Sequence, residues 1–289
     1  MARAKLWARR GMPRLYQLAW LTKRSILYRG SSFRCVVCDR SMRRWKRESR
    51  VPGEAVCPWC ESRGRQRLMW LWISRETDLF SKPRRLLHLA PEKGLQQRFL
   101  RADNLSYVPV DLDSPLAAVT MDLCACPLPD DSFDAILCTH VLEHIPDDRS
   151  AMSELERILR PGGWALLMVP FLPDRRTEED PGATREERLR RFDQEDHVRK
   201  YGGDYIDRLN KAELCVNFEV YATRFEPRFI HEHGLPMEFL IVGWKPMAII
   251  LEPNALEPPR QRTDAGSSLK MPSRPQVSSS RARLGSFTV

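Results

Sequence analysis

Residues 121–170 read MDLCACPLPDDSFDAILCTHVLEHIPDDRSAMSELERILRPGGWALLMVP, and the order of apolar and polar runs here constrains the fold more than any other part of the chain. Residues 133–139 (FDAILCT) form a brief continuous apolar run, the mark of a strand buried on both faces of a parallel sheet. Asp147 or Asp148 can cap the helix that follows, because a carboxylate accepts bonds from the free N–H groups of a first turn. Met152, Leu155 and Leu159 then fall on one helical face. Pro161 stops the helix, and Gly162 and Gly163 supply positive φ angles for the turn out of it. Residues 164–170 (WALLMVP) are a second buried strand. A strand–helix–strand unit of this kind demands a right-handed crossover and parallel pairing.

The same reading places strands at 86–90, 107–111, 118–122, 133–139, 164–170, 217–225 and 239–244, the last two as an antiparallel pair. The fold class is therefore α/β, a seven-stranded doubly wound sheet. Helices are expected over 65–79, apolar on most sides and so buried, and over 205–215. Residues 171–203 are a long charged insertion, of the kind that forms lids and substrate loops beyond a sheet's edge. The tail from 251 to 289 is rich in Pro, Ser and Arg and is expected to be disordered.

Ahead of the sheet, Cys35-x2-Cys38 and Cys57-x2-Cys60 are separated by the 18 residues 39–56. Two such knuckles present four thiolates to one tetrahedral ion, the arrangement of a structural zinc ribbon over 33–62. With all four ligands thiolate, no position is open for catalysis. So small a module has no adequate apolar core, and bound metal supplies its folding energy. No Gly/Ser/Pro linker follows, so the ribbon should be joined rigidly to a domain spanning 63–250.

Charge is uneven. Residues 1–50 hold fifteen Lys/Arg against Asp39 and Glu48, although the whole chain is only +9. A basic arm over 1–32 and Arg34, Arg40, Arg43, Arg44, Lys46, Arg47 and Arg50 around the knuckles, with Trp45 among them, suit phosphate contacts and base stacking. They equally suit an anionic membrane or glycan. No apolar run is long enough to span a bilayer, and paired CxxC motifs favour a reducing compartment. The expectation is a cytoplasmic protein, peripheral to a membrane if the arm binds lipid.

The pattern PLPDDSFDAILCTHVLEHIPD, followed by LRPGGWALLMVP, resembles class I S-adenosylmethionine-dependent methyltransferases, with the likeness extending over about 84–245. LHLAPE (87–92) and DHVRKYG (196–202) resemble segments of a bacterial group that joins a zinc ribbon to such a core. The resemblance implies a Rossmann-like sheet with S-adenosylmethionine across its C-terminal strand ends, beside the structural zinc. It carries the cofactor site onto Ala90, Glu92 and Gly94 of the first loop, Asp111 at the second strand end, Asp122 and Leu123 at the third, and Thr139 at the fourth. Asp111 would take the ribose hydroxyls, as in other dinucleotide-type sites. Asp122 would lie near the adenine amino group and the Leu123 N–H against the ring. Ala90 and Glu92 stand where the family's loop has glycine, and His88 where it has an acid. Glu92 could replace a lost acidic contact to the cofactor's ammonium.

At the reacting end, His140 is a candidate general base, with Glu143, His144 and His197 as further candidates. The 139–144 loop also resembles methyltransferases that hold a divalent metal on Glu-x-x-Glu-His, with His140 in the first Glu position. Asp196, Arg199 and Tyr201 on the insertion are candidate substrate contacts. The methyl acceptor is unnamed: oxygen or nitrogen of a small molecule or envelope glycan. An RNA methyltransferase reading through the basic ribbon is the first alternative, although no Asn/Asp-Pro-Pro-Tyr-type loop is present. A non-catalytic binding module, permitted by the altered glycine loop, is the second.

Overall fold

The computed structural model describes residues 22–47 and 55–247. Most of the basic arm, Arg50 and the 251–289 tail lie outside them. Seven strands form the central sheet: β1 (Arg84–Leu89), β2 (Leu105–Asp111), β3 (Val119–Thr120), β4 (Phe133–Cys138), β5 (Leu159–Leu166), β6 (Cys215–Glu219) and β7 (Leu240–Trp244). Their spatial order is β6-β7-β5-β4-β1-β2-β3. β1 pairs in parallel with β2 on one side and β4 on the other. β7 runs antiparallel to both β5 and β6. Strand order therefore reverses between β1 and β4, where an open sheet leaves a crevice at its C-terminal edge.

Alternation along the strands divides the core into two layers. Leu86, Ala135, Leu137, Trp164 and Leu166 face one side, and Leu87, Leu89, Ile136, Cys138 and Ala165 the other. Side chains on successive strand residues point to opposite faces, so both faces of β1 and β4 must be apolar. The second layer is covered by α3 (Asp148–Ile158) through Ala151, Met152, Leu155 and Ile158, and by α5 (Asp204–Lys211) through Tyr205 and Leu209. Asp147 caps α3, accepting the Ser150 N–H at 3.1 Å.

The first layer is covered by α1 (Gly64–Glu76), whose Leu68–Ile73 stretch is buried throughout. Trp72 meets Trp164 of β5 edge-on at 5.1 Å. Trp70 packs against Phe80 and against Phe99 of α2 (Lys93–Phe99). Cys35, Val37, Met42, Cys57 and Cys60 belong to this same core. The cysteine module and the sheet thus share one apolar interior. At about 1.5–3 kcal/mol for each fully buried large apolar side chain, that interior ties the small module down firmly.

Several elements differ from expectation. The helix expected over 205–215 ends at Lys211, and Cys215 begins β6. β6 ends at Glu219, and Tyr221–Arg224 is a single 3-10 turn, so the strand expected over 217–225 is displaced toward the N-terminus. The strand expected over 118–122 is reduced to Val119–Thr120 at the sheet edge. Paired backbone begins at Leu159, and β5 ends at Leu166 rather than continuing to 170. Of the two glycines, only Gly162 has positive φ, at 77°. Gly163 is needed for space, since a Cβ there would lie 2.9 Å from the Asp134 carbonyl oxygen.

Within the insertion, Arg199–Gly202 is a short strand joined to Phe171–Leu172 and Glu178–Glu179. Helix α4 (Arg185–Phe192) lies between them in sequence, capped by Thr184 and Glu187 acting reciprocally. Helix α6 (Pro227–His233) follows β6 and packs beside the cysteine module.

Candidate functional site

Strands β1, β2 and β4 deliver their C-terminal ends to one concavity of about 620 Å3, and the turn after β3 closes its far side. Its walls include Ala90, Asp111, Asp122, Leu123, His140 and His144. Four elements thus bring together residues spread over more than fifty positions. Glu92, Gly94, Thr139, Glu143 and His197 do not line this concavity; they stand behind its walls.

Two wall residues hold backbone conformations that only glycine adopts freely. Ala90 has φ 49° and His140 φ 54°. They follow the adjacent strands β1 and β4, and their N–H groups donate to the Val110 and Met168 carbonyls at 3.0 and 2.8 Å. A left-handed alanine costs on the order of 1 kcal/mol. The loop therefore keeps the turn a glycine would make, with one methyl group added at the pocket wall.

Asp111 Oδ1 accepts the N–H groups of Asp113 and Ser114 at 2.7 and 2.8 Å, which fixes its carboxylate at the end of β2. Asp122 Oδ1 accepts the Cys124 N–H at 2.9 Å. Both acids are turn-formers as well as pocket walls.

Behind the β1 loop runs a hydrogen-bonded series. His88, fully buried, bonds through Nδ1 to the Tyr107 hydroxyl at 2.9 Å and through Nε2 to Glu92 Oε2 at 2.8 Å. Thr139 donates to Glu92 Oε1 at 3.2 Å. Burial raises the Glu92 carboxyl, but the His88 bond and charge, the Arg65 charge and the Thr139 bond outweigh it, leaving the carboxyl below its ordinary value. Burial and the Glu92 charge push the Tyr107 hydroxyl up, so it keeps its proton. Glu92 is thus an anion held between β1 and β4, with both oxygens engaged.

At the end of β4, Leu142–His144 makes one 3-10 turn. Glu143 is fully buried and bonds to His140 Nδ1 through Oε1 at 2.9 Å. An imidazole that gives its Nδ1 proton to a carboxylate keeps a lone pair at Nε2. His197 is brought back to this turn by the insertion, since the Val198 N–H donates to the Glu143 carbonyl at 2.9 Å. The His144 and His197 rings meet edge-on at 4.7 Å.

Arg199 explains why the turn holds its shape. Its guanidinium, 1 % exposed, donates to the carbonyls of Leu142, Ile145 and Pro146. Tyr201 donates to Asp148 Oδ2 at 2.8 Å, and Arg208 reaches the same oxygen at 2.9 Å. Arg199 and Tyr201 are therefore buried anchors of the turn, while Asp196 does line the concavity. Neither role is signalled in sequence, because each depends on partners more than fifty residues away.

The four module cysteines converge. Cys35 Sγ lies 3.7 Å from Cys60 Sγ, and Cys38 Sγ lies 3.7 Å from Cys57 Sγ. Four thiolates about 2.3 Å from one zinc ion would stand about 3.8 Å apart, so the donor set fits a tetrahedral structural site. The two knuckles repeat one geometry. Asp39 and Glu61, each just after a second cysteine, have φ 60° and 68° and donate their N–H groups to Cys35 and Cys57 carbonyls. The buried Ser62 hydroxyl lies 3.3 and 3.2 Å from Cys35 and Cys60 Sγ.

Arg67, also absent from the sequence-derived candidates, staples this module in place. It is fully buried in α1 and donates to the Ala55, Ser62, His233 and Gly234 carbonyls at 2.7–2.8 Å. Its guanidinium lies 4.1 Å from the Trp45 ring centre. Trp45 also packs on Phe33 at 5.7 Å. Arg43, Arg44, Lys46 and Arg47 remain exposed.

A family model described as a methyltransferase domain matches residues 88–167. A probable S-adenosylmethionine-dependent methyltransferase of Mycolicibacterium smegmatis is 42% identical over 69 residues, 22% of this chain and 27% of that protein. The uncharacterized methyltransferase YcgJ of Bacillus subtilis is 42% identical over 48 residues, 17% of this chain and 19% of its own. The chain thus spans less than a third of the length of either relative. The YcgJ crystal structure aligns with 62% of this chain and 97% of its own at 18% identity and a TM-score of 0.42. That of an S-adenosylmethionine-dependent methyltransferase from Mesorhizobium loti aligns with 61% and 97% at 18% identity and a TM-score of 0.41.

Proposed function

We propose that this chain is an S-adenosylmethionine-dependent methyltransferase of the zinc-ribbon-bearing bacterial group, acting on oxygen or nitrogen of a small molecule or glycan. The observation that carries the reading is the convergence of Ala90, Asp111, Asp122, Leu123 and His140 on one concavity at the strand-order reversal. The methyltransferase family match over 88–167 spans that same set of strand ends.

In this reading Asp111 receives the ribose hydroxyls, and Asp122 with the Leu123 N–H receives the adenine edge. The sulfonium supplies an already activated methyl group, so the protein's task is alignment and desolvation. If S-adenosylmethionine is bound there, it would supply its methyl group to the acceptor's lone pair, with the carbon–sulfur electrons left on sulfur. The acceptor's proton must then leave. His140 is positioned to take it at Nε2, because Nδ1 is committed to Glu143. All eight cysteines are free of disulfides, and no described helix is long and apolar enough to cross a membrane. The paired CxxC thiols, free to hold metal, suit a reducing compartment.

Calorimetric titration with S-adenosylhomocysteine tests the reading. Saturable binding that Asp111→Ala weakens at least tenfold is expected. A folded protein that gives no heat at millimolar ligand overturns it.

A further inference from the structure

Three groups from two distant segments meet beside the concavity: Glu143, His144 and His197. Their ligand atoms all lie within 4.8 Å of one another. Among the described residues, two of those atoms are buried and have no hydrogen-bond partner, Glu143 Oε2 and His197 Nε2. Glu143 is fully buried and His197 is 3 % exposed. Leaving such atoms unsatisfied costs about 1–3 kcal/mol each, more for a charged group. Two of them facing one cluster call for an occupant.

Their other atoms specify which kind. His197 Nδ1 lies 3.0 Å from the Phe192 carbonyl, and His144 Nδ1 lies 3.2 Å from the Asp196 carbonyl. A carbonyl only accepts, so the proton of each neutral ring sits on Nδ1 and Nε2 keeps its lone pair. This is the orientation in which metal-ligating histidines are held, with the far N–H bonded to a carbonyl or carboxylate. Glu143 is divided in the same way. Oε1 is bonded to His140, and Oε2 is free. The site thus offers two imidazole nitrogens and one carboxylate oxygen, all lone-pair donors. A hydrogen-bond donor from substrate would need only one of them.

We propose that Glu143, His144 and His197 bind a divalent first-row cation such as Mn2+, Co2+ or Zn2+, separate from the cysteine site. Mixed imidazole and carboxylate donors suit these ions better than Mg2+ or Ca2+, which prefer oxygen alone. Donors about 2.1 Å from a common ion lie roughly 3.0–3.5 Å apart, so from separations of at most 4.8 Å the side chains need close by no more than about 2 Å on binding. His144 also lines the concavity, which places the cation at its wall with coordination positions left open. If the methyl-transfer reading holds, those positions face the acceptor and would orient an oxygen-rich acceptor group. The cation site itself stands without that reading.

The test is Mn2+ binding counted by electron paramagnetic resonance on full-length protein whose cysteine site is filled with zinc. Mn2+ competes poorly for thiolates, so it reports this cluster. One bound equivalent is expected, with affinity lowered at least tenfold by Glu143→Gln and by His197→Gln. His231→Gln, outside the cluster, leaves it unchanged. Thermal unfolding checks that each variant is folded. If His197→Gln is not, His144→Gln is read in its place, because His144 is a third exposed. No bound Mn2+, Co2+ or Zn2+ beyond the cysteine site at millimolar metal, or equal affinity in folded Glu143→Gln, overturns the proposal. S-adenosylhomocysteine titrated into the same samples separates the two readings: nucleoside binding without Mn2+ removes only the cation, and Mn2+ binding without nucleoside removes only the cofactor.

Discussion

Gly94 and Ser62 meet where the cysteine module touches the pocket-forming loop: a Cβ built on Gly94 would lie 3.1 Å from Ser62 Cβ and 3.3 Å from the Cys60 carbonyl oxygen. Gly94 is the second residue of α2, in its first turn directly after the β1 loop. Lys93 reinforces the contact by pairing with Glu61 at 3.3 Å. The second knuckle therefore sets where α2 starts, and through it the position of Ala90 and Glu92. The ribbon is a buttress of the pocket rather than an appendage.

Gly94→Ala is expected to destabilise the protein by about 1–2 kcal/mol, although alanine favours helix by nearly 1 kcal/mol at an ordinary site. The neighbours it would meet are Ser62 Cβ and knuckle backbone, none of which can rotate away. Chemical denaturation gives the sign. An unchanged or raised midpoint would mean the contact is loose.

Removing metal from the cysteine site should reach the pocket. Cys57→Ser, or chelation of the wild type, is expected to weaken S-adenosylhomocysteine binding at least fivefold, because the knuckle that seats α2 loses its fold. Calorimetry before and after zinc restoration measures it. Undiminished affinity in verified apo protein would separate ribbon from pocket.

Ala90→Gly should relieve the left-handed backbone at φ 49°. Glycine also gains freedom when unfolded, so the net change in stability is small, within about 1 kcal/mol of zero. Loss of a pocket-wall methyl should leave cofactor affinity equal or higher. A several-fold loss would show that the methyl contacts ligand.

Arg199→Met is expected to cost about 3 kcal/mol or more, since three carbonyls of the Leu142–Pro146 turn lose their donor. His144 and His197 would lose their mutual register. Urea unfolding reads the loss, and a change under about 1 kcal/mol would show that water replaces the guanidinium.

Glu92 predicts an acid limb. Its folded pKa lies below the reference 4.5, so the native state binds this proton less tightly than the unfolded state. The stability it contributes is present above that reference and is lost as pH falls through the folded value. Thermal midpoints should drop more steeply below pH 4.5 in wild type than in Glu92→Gln. Parallel curves would show that the His88 and Arg65 interactions do not hold the carboxylate.

The succession of strands and helices was legible in the chain, because it follows from apolar runs, a capping Asp147 and a Pro-Gly-Gly stop, all local signals. So were the two knuckles, whose cysteine spacing is fixed within one turn. Strand and helix ends were less legible. Edge strand β3 and the β6 boundary depend on which neighbours offer hydrogen bonds, and sequence carries no record of that. The function of Gly94 depended on contact: in sequence it is the surviving glycine of a cofactor loop, and in three dimensions it makes room for Ser62. His197 is the sharpest case. Its place beside Glu143 and His144 depends on Arg199 drawing the insertion onto the β4 loop, a contact across more than fifty residues. Sequence by itself determined the elements and their order, because those rest on periodicity and local backbone chemistry. Tertiary structure alone decided which buried donors and acceptors face one another, because buried polar groups must find partners wherever the chain's return path supplies them.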